Sequence, residues 1–347
     1  MDTLTPTATV AVAEHAAPDR PGRRWRAAAR LLALRTAIAI PLTAGISAAM
    51  FFVASLSPFD PLAAYLGGNY QFATASQRDA MRVAYQTDQP WYQAWWQWVG
   101  GLTRADLGWS STQSQPVTTV LAERMPFTLV LSGAALLTAT ALAVLLGCLA
   151  GMRRGGLIDR LCTGFSVTFA AVPPFVVALA LVVVVAVGLR WLPASGAAAP
   201  GAGYTFEGVL RHGILPWIAL TVSMIPWLLL TTRAAVVAGI DSDAVRGARS
   251  RGVYGWELLR GHIAPVSVLP TLALLGTRLP ELIAGAAIVE TVFGWPGMAA
   301  VLVESAAALD FPLLAALTVA AAAAVLAGSA LSDAAAVAID PRIRMTA

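Results

Sequence analysis

Six long hydrophobic runs, separated by polar segments, divide the chain. A helix needs about 20 predominantly apolar residues to cross the hydrocarbon core of a bilayer, and each run reaches that length. Prolines inside the runs are compatible with membrane helices, because neighbouring helices satisfy the carbonyl groups that proline leaves unpaired. The pattern predicts an all-α integral membrane protein with six transmembrane helices, near residues 33–56, 126–150, 161–189, 213–235, 264–290 and 313–337.

The distribution of arginine predicts how these helices are oriented. Basic residues concentrate before the first run, between the second and third, between the fourth and fifth, and after the last. With six spans these segments share one face, and an excess of positive charge marks the cytoplasmic face. Both termini are therefore predicted to be cytoplasmic. Residues 1–30 are rich in Ala, Thr and Pro and are predicted to form a disordered tail, which leaves residues 31–347 as the membrane domain.

Two connections are much longer than the others. The exterior segment, residues 57–125, contains Trp91, Trp95 and Trp98 at helical spacing. Such an aromatic face fits an anchor at the membrane interface, and contact with an exterior protein is the alternative. The cytoplasmic loop, residues 236–262, is basic and is predicted to form short helices broken at glycines. A loop of this kind indicates a docking site for a soluble partner, and the alternative is that its arginines only set the topology.

Composition narrows the classes of function. Charged residues make up 12% of the chain against about 25% in an average soluble protein, and mean hydropathy is +0.70. All 23 basic residues are arginine, so the lysine of a phosphate-binding loop is missing and the chain is not expected to bind ATP itself. No metal-ligand cluster or hydrolase motif is present, which favours a non-catalytic protein without a cofactor or a nucleic-acid partner.

The fifth run contains two charged residues, Arg278 and Glu281, three positions apart. Charged residues at that depth usually face a bundle interior or water, so this pair is a candidate for the translocation pathway. A local ion pair that neutralises itself is the equal alternative. A proton-coupled transporter would show more acidic residues in the membrane, and no internal repeat of the inverted-repeat transporters is visible.

The segment Asp243-Ala-Val-Arg-Gly-Ala-Arg-Ser-Arg-Gly-Val253 resembles the cytoplasmic signature loop of ATP-binding-cassette (ABC) importer permeases. The resemblance extends in one register over residues 31–344 and includes Val289-Glu-Thr-Val-Phe-Gly-Trp-Pro-Gly297. Its pattern is similar to the B-type subunit of the dipeptide, oligopeptide and nickel branch. Ala244 departs from that pattern, because the family usually has tyrosine at this position.

The resemblance implies a type I ABC importer permease bundle in the bacterial cytoplasmic membrane, with a cytoplasmic coupling helix. It implies a second, C-type permease, two ATPase subunits or domains that carry ATP and Mg, and an extracytoplasmic solute-binding protein. We expect Asp243 to cap the coupling helix and Ala248 and Gly252 to clear one face for the ATPase. The expected coupling residues are Asp243, Arg246, Gly247, Ala248, Arg249, Arg251 and Gly252.

The exterior side is expected to receive the binding protein. The candidates for docking are Trp98, Glu290, Phe293 and Trp295, and packing on neighbouring helices is the alternative for the aromatic residues. Di- and oligopeptides are the expected substrates, with nickel, glutathione or another small solute as alternatives. A self-sufficient secondary transporter and a membrane enzyme remain as less favoured classes.

Overall fold

The computed structural model describes residues 21–56, 72–85, 89–308 and 310–339. The expectation of an all-helical architecture is confirmed, with one short antiparallel strand pair, Trp109–Ser110 and Gln115–Pro116, in the described part. The helices are α1 Pro21–Ser55, α2 Ala75–Tyr85, α3 Trp91–Leu102, α4 Val117–Met152, α5 Leu157–Ala170, α6 Pro174–Leu181, α7 Phe206–Ile240, α8 Asp243–Ser250, α9 Gly255–Leu258, α10 Ala264–Phe293, α11 Met298–Ala308 and α12 Phe311–Ile339. A π-helical stretch, Val182–Gly188, extends α6.

Helix α1 begins earlier than the sequence pattern predicts. Residues 21–30, assigned to the tail, form its first turns. The rest of the predicted tail, residues 1–20, lies outside the described residues, as do residues 57–71 of the long exterior segment.

The third predicted span is not one helix. In the described ranges, four helical stretches are individually long and apolar enough to cross a membrane: Arg35–Val53, Val117–Met152, Phe206–Ile240 and Phe311–Ala330. The hydrophobic run 161–189 instead forms α5 and the α6 segment, whose axes differ by 103°. Pro173 and Pro174 lie at the bend, and each lacks the N–H that a continuous helix would need. The run is therefore a broken span.

Helices α4 and α7 pack closely because α4 carries small residues four positions apart. A Cβ added at Gly147 would lie 2.7 Å from Thr232 Cβ, and one added at Gly151 would lie 2.6 Å from Val236 Cγ1. Glycines at this spacing let two membrane helices approach each other. The hydroxyl groups of Thr232 and Thr271, 2.7 Å apart, then join α7 to α10. These helices form the centre of the bundle.

The tryptophan face of α3 packs on α1. The rings of Trp98 and Phe51 lie 5.9 Å apart, and Trp95 Nε1 donates to Ser47 Oγ at 3.0 Å. The aromatic side chains that α3 exposes are Tyr92 and Trp96. This face therefore makes a helix contact, for which α1 offers its own aromatic residues and a hydroxyl acceptor, and its role as an interfacial anchor stays a prediction.

Candidate functional site

The candidate coupling segment, residues 241–263, begins where α7 ends. Ser242 has the extended backbone of an N-cap, and its Oγ accepts from the N–H of Val245 at 3.4 Å. The same hydroxyl donates to the carbonyl of Gly239 at 2.6 Å, which ties the cap to the last turn of α7. The prediction that Asp243 caps α8 is wrong: Asp243 is the first helical residue, and its carboxylate pairs with Arg246.

The inner face of α8 packs against the membrane helices of this same chain. Val245 and Ala248 are fully buried, in one cluster with Cys148 of α4, Val236 of α7 and Ile263. The prediction that Ala248 clears a surface for the partner is therefore wrong. Its small side chain serves the opposite purpose, because it lets α8 lie close to α4 and α7. The helix is fixed to the bundle along one face.

Gly252 ends α8 in a left-handed conformation, with φ of +83°. Its N–H donates to the carbonyl of Arg249 at 3.0 Å, and the N–H of Val253 donates to the carbonyl of Ala248 at 3.1 Å. These two bonds form a Schellman motif, in which glycine is preferred because it has no Cβ. No atom of the described chain lies within 4 Å of a Cβ added at Gly252. Its requirement inside this chain is therefore conformational.

The outer face of α8 and the turn after it are exposed and basic. Arg246, Arg249 and Arg251 all point away from the bundle, and Arg249 and Arg251 have no side-chain partner among the residues described. Arg251 Nη1 lies over Gly247, 3.5 Å from the position of an added Cβ. Guanidinium groups of this kind offer planar donors to carboxylates and carbonyl oxygens.

Two aromatic residues that we did not single out from the sequence complete this face. Tyr254 is 65% exposed and Trp256 is 72% exposed, on either side of Gly255. Their signal was present in the sequence as two large aromatic residues inside an otherwise polar loop. Tyrosine and tryptophan are enriched in the binding cores of protein interfaces.

An ion pair between a buried aspartate and a partly buried arginine connects the broken span to α7 near this end of the bundle. Arg233 of α7 makes a two-pronged contact with Asp159 of α5, including Nη2 to Oδ2 at 2.8 Å, and the N–H of Gly155 donates to the same Oδ2 at 2.8 Å. Sequence reasoning missed this pair and selected Arg278 and Glu281. The backbone places those two in α10, and their side chains lie outside the described part, so the pathway assignment stays a prediction.

At the opposite end of the bundle, Glu290 holds the turn between α10 and α11. Its carboxylate accepts from Thr128 Oγ1 at 2.6 Å and from the N–H of Ala299 at 2.9 Å. Trp295 packs edge-on against Phe127 and donates Nε1 to the Phe127 carbonyl at 3.3 Å. These contacts hold α11 against α4.

The prediction that four side chains receive the binding protein is therefore wrong. All are buried in this chain: Trp98, Glu290, Phe293 and Trp295. A side chain without exposed surface has nothing to offer a docking protein, and the packing alternative accounts for the aromatic residues. Trp98 is buried because α3 lies on α1. The other three are buried because the chain turns by 93° between α10 and α11 and this turn packs on α4 and α7.

The chain is similar in sequence to a known family and to several transport proteins. Residues 143–345 match the family model described as binding-protein-dependent transport system inner membrane component. An oligopeptide transport system permease protein of Bacillus subtilis is 29% identical over 310 residues, which is 89% of this chain and 97% of the relative. A dipeptide transport system permease of Lactococcus lactis is 29% identical over 78% of this chain and 87% of its own. A di/tripeptide permease of Pseudomonas aeruginosa is 29% identical over 82% and 89%.

The family match covers more than half of the chain and includes α7, α8 and α10, which carry the coupling segment and its supports. The relatives extend the likeness over most of the remaining length. The resemblance to ABC importer permeases is confirmed, and the multi-pass membrane architecture agrees with it. The chain belongs to the family of binding-protein-dependent transport system inner membrane components.

Proposed function

We propose that this chain forms half of the translocation pathway of an ATP-driven peptide importer and that residues 241–263 couple it to an ATPase subunit. The observation that carries the proposal is the two-sidedness of α8. Its inner face is locked to α4 and α7 through Val245 and Ala248, and its outer face is exposed and basic. Three relatives with peptide or dipeptide in their names support the substrate class.

The coupling works as a rigid-body switch. Arg249 and Arg251 bind carboxylate and carbonyl oxygens of the ATPase, while Tyr254 and Trp256 supply apolar contact area. Movement of the ATPase displaces α8 and passes directly into α7, because Ser242 is bonded to both helices.

The remaining components follow from this assignment. The end of the bundle that carries α8 faces the cytoplasm, with both termini on that side. A second homologous permease provides the other half of the pathway, and the ATPase subunits hold ATP and Mg. An extracytoplasmic binding protein delivers peptide to the end that carries α11.

Reconstitution tests the proposal. The chain is co-expressed with a C-type permease, ATPase subunits and a solute-binding protein of a peptide importer, and uptake of labelled di- and tripeptides into proteoliposomes is measured. We expect ATP-dependent uptake by the complete complex only. The chain alone and a complex with a hydrolysis-deficient ATPase are the controls. Uptake by the chain alone, or a complete complex that is stimulated by nickel chelates or glutathione and by no peptide, overturns the proposal.

A further inference from the structure

The break between α5 and α6 lies midway along its hydrophobic segment. Helix α5 begins at Leu157 and the π-helical stretch ends at Gly188, so residues 171–173 fall near the centre. The residues of α7 that face the break, Leu220 to Leu228, are likewise central in that helix. The break is therefore at the depth of the bilayer core.

Backbone polar groups are left open at this depth. The carbonyls of Ala171 and Val172 accept no hydrogen bond, and the N–H of Phe175 donates none, within the described chain. Pro173 and Pro174 have no N–H to offer, and the bend carries Phe175 away from its helical acceptor. Non-helical backbone at membrane depth is tolerated only when it is buried in protein or lines a water-filled cavity. Ala171 is exposed in the single subunit, so this edge does not face lipid.

A cleft of about 420 Å³ opens beside these groups. Its walls are Phe169 and Val172 of the broken span, Leu220, Met224 and Leu228 of α7, and Ile288 of α10. They are apolar, and the hydroxyl of Ser223 is engaged by the carbonyl of Ala219 at 2.8 Å. The cleft thus combines an apolar wall with the two open carbonyls of Ala171 and Val172, and the open N–H of Phe175 belongs to the residue that follows its lining at Pro174. A peptide offers the complement, an apolar side chain next to a backbone N–H and carbonyl.

We propose that the α5–α6 break is a transit site for peptides that carry an apolar side chain. The side chain enters the cleft beside Met224, the carbonyl of Ala171 or Val172 accepts from the peptide N–H, and the N–H of Phe175 donates to the peptide carbonyl. This inference rests on the proposed function and specifies its substrate class: peptides with leucine- or phenylalanine-sized side chains pass favourably.

Changing the volume of the cleft tests the side-chain part. In the reconstituted complex, Met224→Trp fills the cleft, Met224→Ala enlarges it, and Ile38→Trp on the exposed face of α1 is the control. We measure uptake of Ala-Phe relative to Ala-Gly at saturating loaded binding protein. Met224→Trp should lower this ratio by about tenfold, the scale of discrimination that an apolar pocket provides. Met224→Ala should shift preference towards larger side chains, and Ile38→Trp should leave the ratio unchanged.

Restoring the helix tests the backbone part. Pro173→Ala combined with Pro174→Ala supplies two N–H groups and allows a continuous helix, in which Phe175 and Val176 pair with the open carbonyls. Peptide uptake should be lost while the ATPases still co-purify with the permeases. Wild-type uptake by this variant overturns the backbone contact.

The outcomes separate the inference from the proposed function. A wild-type complex that imports no peptide contradicts the proposed function itself. A wild-type complex that imports peptide, with the same Ala-Phe to Ala-Gly ratio in both Met224 variants, contradicts the cleft alone. Co-purification of ATPases with each variant shows that a changed ratio does not come from loss of assembly.

Discussion

Replacing Gly252 is the sharpest perturbation of the coupling segment. At φ of +83° an L-residue other than glycine pays about 1–2 kcal/mol, since its Cβ approaches the neighbouring carbonyl oxygen. Nothing in the described chain lies within 4 Å of an added Cβ, so a larger side chain meets no further obstacle inside the subunit. Gly252→Ala should therefore disfavour the capped end of α8 by about 5- to 30-fold.

Three variants distinguish the conformational role from close approach of a partner. Asparagine tolerates the left-handed conformation, so Gly252→Asn should retain most of the affinity for the ATPase. Gly252→Ala should bind the ATPase more weakly, by the free energy that alanine needs to adopt the left-handed conformation. If only the backbone conformation matters, Gly252→Leu should bind the ATPase as well as Gly252→Ala does. If the ATPase lies against this glycine, Gly252→Leu should bind it much more weakly. Each variant tests whether the two Schellman hydrogen bonds, donated by Gly252 and Val253, still form.

The assay measures two quantities on permease complexes in nanodiscs. One is the dissociation constant of the ATPase, and the other is the ATP turnover stimulated by loaded binding protein. Membrane insertion should be unaffected by each variant, because the spans insert by their own apolar content. Arg249→Ala, assayed in parallel, should reduce ATPase affinity and stimulated turnover less than Gly252→Leu does. Wild-type affinity and coupling in Gly252→Leu would refute the assignment of this loop, and equal loss in the asparagine and leucine variants would refute the conformational explanation.

Three further predictions concern residues that the structure brings to notice. Tyr254→Ala and Trp256→Ala should leave thermal stability unchanged, because both side chains are exposed, and should weaken ATPase binding by about 2 kcal/mol if they are interface anchors; unchanged binding speaks against that role. Asp159→Ala should lower stability by about 1.5–3 kcal/mol, because it leaves the partly buried guanidinium of Arg233 unpaired. Adding Arg233→Met should partly restore stability; a double variant less stable than the single contradicts this. Glu290→Ala should speed proteolysis of the turn after α10, because α11 loses its anchor; an unchanged cleavage rate argues against that contact.

Much of the helical arrangement was predictable, because long apolar runs and local signals determine it. The runs located the long helices to within several residues at most ends, apart from the early starts of α1 at Pro21 and of α4 at Val117, which lies inside the predicted exterior segment. The glycine pattern located the end of α8, because a left-handed cap is encoded by one residue and its immediate neighbours. The cap at Asp243 failed by one position, since Ser242 and Asp243 both carry suitable oxygens and only the backbone conformation decides between them.

The predictions that were wrong or missing concern contacts between segments that are distant in the sequence. Asp159 and Arg233 are 74 positions apart, and no periodicity indicates that their helices meet. Trp98 and Trp295 were assigned to an exposed docking surface because they lie in exterior segments, but their burial depends on where α3 and α11 come to rest. The consecutive prolines 173 and 174 are compatible with a membrane helix, whereas the bend of 103° depends on how α5 and α6 each pack on the rest of the bundle.

The positions of α8 and of the α5–α6 break suggest how the two proposals depend on each other. Helix α7 carries the last turn that Ser242 joins to α8, and its middle forms one wall of the cleft at Met224. Arg233 lies between these two levels and holds Asp159, so α5 is tied to α7 on the side of the break nearer to α8. A displacement of α8 would therefore carry α7 and α5 together, whereas α6, which packs on α7 and α10 through Val177 and Ala178, is joined to α5 only through the proline bend. On the proposed function, the break is the point where ATPase movement would change the width of the cleft, which makes the Asp159–Arg233 pair a transmission contact as well as a stabilising one.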